Sequence, residues 1–214
     1  MDDLDNKLPR ITNFAVLAAA FEGGLAILAL CLGWAMGMPP MASFHWSVAD
    51  LGWGLAATIP PLAILAACIL IPWRPLRRIV QLLDQSILPL FRDCRLIEIA
   101  VISLLAGLGE EMLFRSIIQD GIARDFAAPY GAVIGLVAAA VIFGLLHSMT
   151  LAYAILAALI GLYMGVIWLL SEKNLLVPIT AHALYDFVAI VILLRLQKPA
   201  VEVSNPVDSA PNDE

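Results

Sequence analysis

Charge is what this chain has least of. Only 14% of its 214 residues are Asp, Glu, Lys or Arg, against 62% hydrophobic, and the mean hydropathy is +0.92. A water-soluble domain carries about 25% charged residues and about 45–50% apolar ones, so a soluble globular protein is excluded. Basic patches are missing too, which excludes a nucleic-acid partner. The three cysteines, Cys31, Cys68 and Cys94, form no CxxC pair. They read as small buried hydrophobes, with no disulfide and no thiol chemistry expected. There is no internal repeat, no HExxH zinc-protease pattern and no GxSxG nucleophile turn. Most of the net charge of -6 sits in the two ends, "MDDLD" and "VEVSNPVDSAPNDE", which read as solvated tails.

What is present is apolar sequence in blocks. A bilayer core needs about 20 apolar residues per helix. Six stretches approach that length, at about 12–37, 51–73, 96–118, 131–148, 151–171 and 175–196. The expected fold is therefore an all-α, polytopic membrane bundle of about six spans. "ITNFAVLAAA" could be mistaken for a cleaved signal, but apolar chain resumes at Gly24, and a retained first span is the expectation. Between the second and third spans, "RPLRRIVQLLDQSILPLFRDCR" has helically spaced Leu and Ile with arginines at both ends, as an amphipathic interfacial helix would. Lys7, Arg10, the five arginines from 74 to 95, Arg195 and Lys198 fall on one side, and only Arg124 and Lys173 on the other. That asymmetry predicts both termini inside. Trp34, Trp53, Trp73 and Trp168 lie near span ends, where interfacial anchors belong.

Ionisable residues within spans face a bundle interior or a wet cavity and mark function. Here they are Glu22, Glu98, Glu110, Glu111, Arg115, His147, His182 and Asp186. Glu98, close to Arg95, reads as an interfacial charge, and Glu22 as a helix contact or a boundary residue. Glu111 and Arg115 are four apart and share a helix face. Glu110 points about 100° away. One carboxylate is thus paired, and the other stays free for chemistry. His182 and Asp186 also share a face, a spacing that suits an orienting hydrogen bond, two metal ligands or a grip on one substrate atom. Pro178 lies inside or just at the start of the last span, where a proline can kink the helix and help open a cavity. One glutamate and two histidines on three helices point to general-base or metal-assisted hydrolysis.

In order and spacing, Glu110-Glu111-x-x-x-Arg115, Phe143-x-x-x-His147 and His182-x-x-x-Asp186 resemble the three motifs of the CAAX protease and bacteriocin-processing (CPBP, or Abi) family. The resemblance spans about residues 96–196. It implies an intramembrane endopeptidase in which Glu110 and His147 activate a water, Glu111 pairs with Arg115, and His182 stabilises an oxyanion. The family's usual asparagine is Asp186 here. An ionised aspartate cannot donate to an oxyanion, so Asp186 is expected to be protonated, to orient His182, or to bind metal. A metal-free glutamic mechanism is favoured. A zinc ion held by Glu110, His147, His182 and Asp186 is the alternative. The expected organisation is an N-terminal tail (1–10), two spans with the interfacial helix (11–95), the catalytic core (96–196) and a disordered acidic tail (197–214). The substrate is expected to be a membrane-associated or lipidated protein or peptide, with the lipid bilayer as the other partner, in the plasma membrane if the chain is bacterial. Competing functions are a catalytically silent scaffold or immunity protein, and a small proton-coupled transporter. For catalysis, His147 must lie within one water of Glu110, which predicts that "LLHSMT" bends inside the membrane at the base of a water-filled pocket.

Overall fold

The computed structural model describes residues 10–197, with side chains from Phe14 onward. The expected N-terminal and acidic C-terminal tails lie almost wholly outside the described residues. Ten α-helices build the described chain, and it contains no strand. They are α1 (Arg10–Ala35), α2 (Val48–Ala57), α3 (Ile59–Leu70), α4 (Arg74–Leu82), α5 (Leu88–Phe91), α6 (Leu96–Glu111), α7 (Asp120–Arg124), α8 (Tyr130–Leu146), α9 (Leu151–Leu170) and α10 (Leu176–Leu196). The all-α membrane bundle read from the apolar blocks is the observed architecture.

Four helical stretches are long and apolar enough to cross a bilayer: Phe14–Ala35, Val48–Leu70, Leu151–Leu170 and Leu176–Leu196. The second joins α2 and α3 across Thr58, whose hydroxyl bonds back to Gly54 O at 3.1 Å just before Pro60 and Pro61 remove two backbone donors. Large apolar side chains point outward all along the bundle, among them Leu17, Phe21, Val137, Val141, Ile155 and Leu159. Polar and charged groups are gathered inside. That inversion of the soluble pattern suits a lipid surround.

α6 sits between α1 and α10, and two glycines of the sequence "GLGEE" let it. A methyl group on Gly107 would stand 2.9 Å from Ile179 O of α10, and one on Gly109 would stand 2.5 Å from Glu22 O of α1. Lipid gives helices no hydrophobic drive to associate, so close backbone approach through small residues takes its place. Gly109→Leu is therefore expected to push α1 off α6 and to cost about 1–3 kcal/mol, read as a lower unfolding temperature in detergent.

The segment 74–95 is helical, with a π-helical stretch at Leu83–Ile87 between α4 and α5. Ile79, Leu88 and Phe91 are buried while Arg74, Arg92 and Arg95 are exposed, as amphipathicity requires. Arg95 N donates to Glu98 at 2.7 Å and caps α6, so Glu98 is the boundary charge expected. Three expectations need correction. Trp168 is no interfacial anchor: it is 2% exposed, packed beneath Ala29, Met112 and Leu175. Cys31 faces outward from α1, whereas Cys68 is buried. Pro178 is buried in the first turn of α10, where no intrahelical donor is lost, so it begins the helix instead of kinking it.

Candidate active site

Every candidate side chain is set by a helix end or a helix contact. α6 runs on through a π-helical stretch, Met112–Gln119, into α7, giving one continuous rod from Leu96 to Arg124. The chain then reverses, and α8 returns beside it. From Glu110 to the reversal is about 21 Å of helix, and α8 is about 25 Å long at 1.5 Å per residue. The end of α8 therefore arrives level with Glu110. There the helix stops: His147 leaves helical geometry (φ -98°, ψ 17°), and Thr150 caps α9. The break lies in the expected "LLHSMT", beside a cavity.

Glu110 is 8% exposed. Its Oε1 lies 3.8 Å from His147 Nε2, and its Oε2 lies 3.8 Å from His182 Nε2. Both distances exceed a direct hydrogen bond and suit one bridging water. Glu110 Oε2 is buried with no hydrogen-bond partner among the described residues. Leaving a buried carboxylate oxygen unsatisfied is costly, and such exceptions concentrate at functional sites.

The two histidines are held by their other nitrogens. His147 Nδ1 is 2.8 Å from Phe143 O, and its ring stacks on Phe143 with centroids 4.2 Å apart. The carbonyl only accepts, so Nδ1 carries the proton and Nε2 faces Glu110 with a lone pair. His182 Nδ1 is 2.7 Å from Glu111 Oε1, and its Nε2 is 3.5 Å from Asp186 Oδ2. Both ring nitrogens of His182 thus face carboxylates and are placed to donate.

Glu111 is fully buried, and Arg115 Nε donates to its Oε2 at 2.7 Å. The i,i+4 pair read from the sequence is present. The same carboxylate also grips His182 from across the bundle, a contact that 71 residues of separation hid from the sequence. Gln119, unmarked at the sequence level, extends the chain of bonds: Arg115 Nη1 donates to Gln119 Oε1 at 3.0 Å, and Gln119 Nε2 donates to Gly165 O at 3.3 Å. A line of polar groups thus ties α10, α6, the π-helical stretch and α9 together. π-Helical turns are rare and recur at functional sites. This one carries Arg115 and Gln119.

Glu110, His147, His182 and Asp186 all line one cavity of about 240 Å³. Its remaining walls are largely apolar, including Leu65 of α3, Ile79 of α4, Leu88 of α5 and Leu193 of α10. The amphipathic segment is thus part of the site's wall. Sequence periodicity had given it only a place at the membrane surface. Glu22 stays outside the cavity wall, with its Oε2 buried and unpartnered among the described residues.

A helical membrane bundle with a buried glutamate between two oriented histidines is the class that fold and site define. Residues 93–188 match the family model described as Type II CAAX prenyl endopeptidase Rce1-like. The match takes in all seven motif residues from Glu110 to Asp186 and bears out the family resemblance of the three motifs. α1 to α5 lie outside it. No curated protein and no solved structure gives a significant match.

Proposed function

We propose that the chain is an intramembrane endopeptidase that hydrolyses a peptide bond of a membrane-associated, lipidated protein or peptide. The observation that carries this reading is Glu110, a buried carboxylate with an unpartnered oxygen, one water's reach from two histidines whose far nitrogens are tied down. The family match supports the reaction class. The apolar cavity walls support a substrate with a greasy attachment, as the words "prenyl endopeptidase" describe for the family. Positive-charge asymmetry supports both termini on the cytoplasmic side, in the plasma membrane if the chain is bacterial.

In this reading a water sits between Glu110 and His147. Glu110 takes one of its protons as the oxygen attacks the scissile carbonyl. The carbonyl oxygen becomes an oxyanion, and His182 donates to it from Nε2. Glu110 then passes its proton to the leaving nitrogen, and the C–N bond breaks. Glu111 holds His182 by Nδ1 throughout, and Arg115 holds Glu111. Asp186 orients His182 from the Nε2 side.

A zinc ion would draw its ligands from Glu110, His147, His182 and Asp186. Among the described residues no three His, Cys, Asp or Glu side chains converge closely enough to hold a metal. The proposed steps use the chain's own residues. They predict that cleavage survives exhaustive chelation, checked by assaying protein whose metal content has been measured.

The decisive test compares the membrane proteomes of cells producing wild type or Glu110→Gln. The expected result is at least one protein left uncut only in the variant. Identical sets of protein termini would end the endopeptidase reading.

A further inference from the structure

One polar side chain of the cavity wall has no part in the steps above. Tyr153 lines the cavity together with Glu110, His147 and His182. It stands in the first turn of α9, six residues after His147. Thr150 fixes it there, accepting the Tyr153 backbone N–H on its side-chain oxygen at 3.2 Å. The turn that ends α8 at His147 thus also sets where Tyr153 begins. The Tyr153 hydroxyl makes no hydrogen bond to protein among the described residues. On the same helix, Tyr163 spends its hydroxyl on Ala57 O at 2.8 Å. A phenol in a largely apolar cavity usually finds a partner, and this one is left to face whatever the cavity binds.

The proposed chemistry has a matching need. An oxyanion is best held by more than one preorganised donor. His182 Nε2 is one. Asp186 is the next polar group on the same helix face, but an ionised carboxylate only accepts. At 3.5 Å from His182 Nε2, its Oδ2 also competes for the donor already there. The cavity thus has one donor too few and two phenols, Tyr153 and Tyr185, without an acceptor among the described residues; of the two, Tyr153 stands beside the turn that carries His147.

We propose that Tyr153 is a further catalytic residue, donating its phenolic O–H to the oxyanion of the tetrahedral intermediate beside His182. No bond to Tyr153 forms or breaks, and its proton stays on the phenol. A phenol suits this place because it is a neutral donor at pH 7. The inference rests on the endopeptidase reading.

The test uses the full chain in its native membrane. Wild type, Glu110→Gln, Tyr153→Phe and Tyr163→Phe are expressed to equal levels, and cleaved membrane proteins are followed after pulse labelling. Cleavages that Glu110→Gln abolishes are expected to slow about 10²–10³-fold in Tyr153→Phe and to proceed normally in Tyr163→Phe. The unfolding temperature of Tyr153→Phe in detergent is expected to match wild type. Fluorotyrosines at position 153 keep the ring's shape while making the phenol a stronger donor. They give a readout that does not depend on the stability of the Phe variant, and the rate is expected to change in step with phenol acidity. Wild-type cleavage by Tyr153→Phe, or a flat fluorotyrosine series, overturns the inference and leaves the endopeptidase reading intact. If Glu110→Gln abolishes no cleavage, the endopeptidase reading falls and the role of Tyr153 falls with it.

Discussion

Glu110→Gln is expected to fold at least as stably as wild type and to lose nearly all cleavage. The two effects have one cause. Glu110 is 8% exposed, and its Oε2 has no protein hydrogen bond among the described residues. A carboxylate held this way costs several kcal/mol of desolvation, and histidines 3.8 Å away return only part of it. Glutamine has the same shape and no charge, so the folded state sheds that cost. A purely structural glutamate would behave oppositely, since its removal would break a favourable bond. The chemical side is a matter of protons: an amide cannot take one from water, and loss of a general base commonly costs about 10²–10⁴ in rate. Glu110→Asp keeps the base but withdraws it by about one carbon–carbon bond. A displacement near 1 Å costs about 10² in a positioned site, so the aspartate variant is expected to fall between the other two. Pulse-labelled cleavage and detergent unfolding temperatures together give the check. A Glu110→Gln protein that melts well below wild type would make Glu110 a structural residue.

Much of this was legible in the sequence, for an identifiable physical reason. Apolar blocks report helices that face lipid, and charges inside such blocks are too costly to be accidental. Helical spacing alone was enough to pair Glu111 with Arg115 and to free Glu110. The ordered motifs then put Glu110, His147 and His182 on three helices, and the structure brings those three to one cavity. What the sequence hid is which faces meet. In water a polar face marks the outside of a helix. In lipid both faces of α1, α8 and α9 are apolar, so periodicity points nowhere. Trp168 was misjudged for this reason: nearness to a span end does not say whether a ring faces lipid or the bundle. Glu111 bonding His182, Gly107 against Ile179 and Gly109 against Glu22 all join helices that only the fold makes neighbours. Residues such as Gln119 and Tyr153 carry no signal by type or spacing. Their importance lies in a bond made deep inside, and in a hydroxyl left without one.

Arg115→Met is expected to have the largest effect on folding of any single substitution in the core. Arg115 is fully buried, and its guanidinium is the cation that lets Glu111 remain charged there. Methionine fills much of the same space without hydrogen bonds. Glu111 would then keep only His182, and Gln119 Oε1 would lose the Nη1 donor now 3.0 Å away. Removing one partner of a buried ion pair costs about 3–5 kcal/mol, because the other charge is left behind. For a chain of this size each kcal/mol is worth about 2–4 °C, so the unfolding temperature in detergent should fall by roughly 10 °C or more. Adding Glu111→Gln tests the cause. The amide carries no charge to strand, and its oxygen can still accept from His182 Nδ1, so the double variant should recover part of the lost stability. Contacting residues in one polar network are coupled by about 0.5–3 kcal/mol, and the sign here must be a rescue. Strictly additive losses would mean that Glu111 and Arg115 do not depend on each other. Arg115 would then not be what holds Glu111, and through it His182, in place.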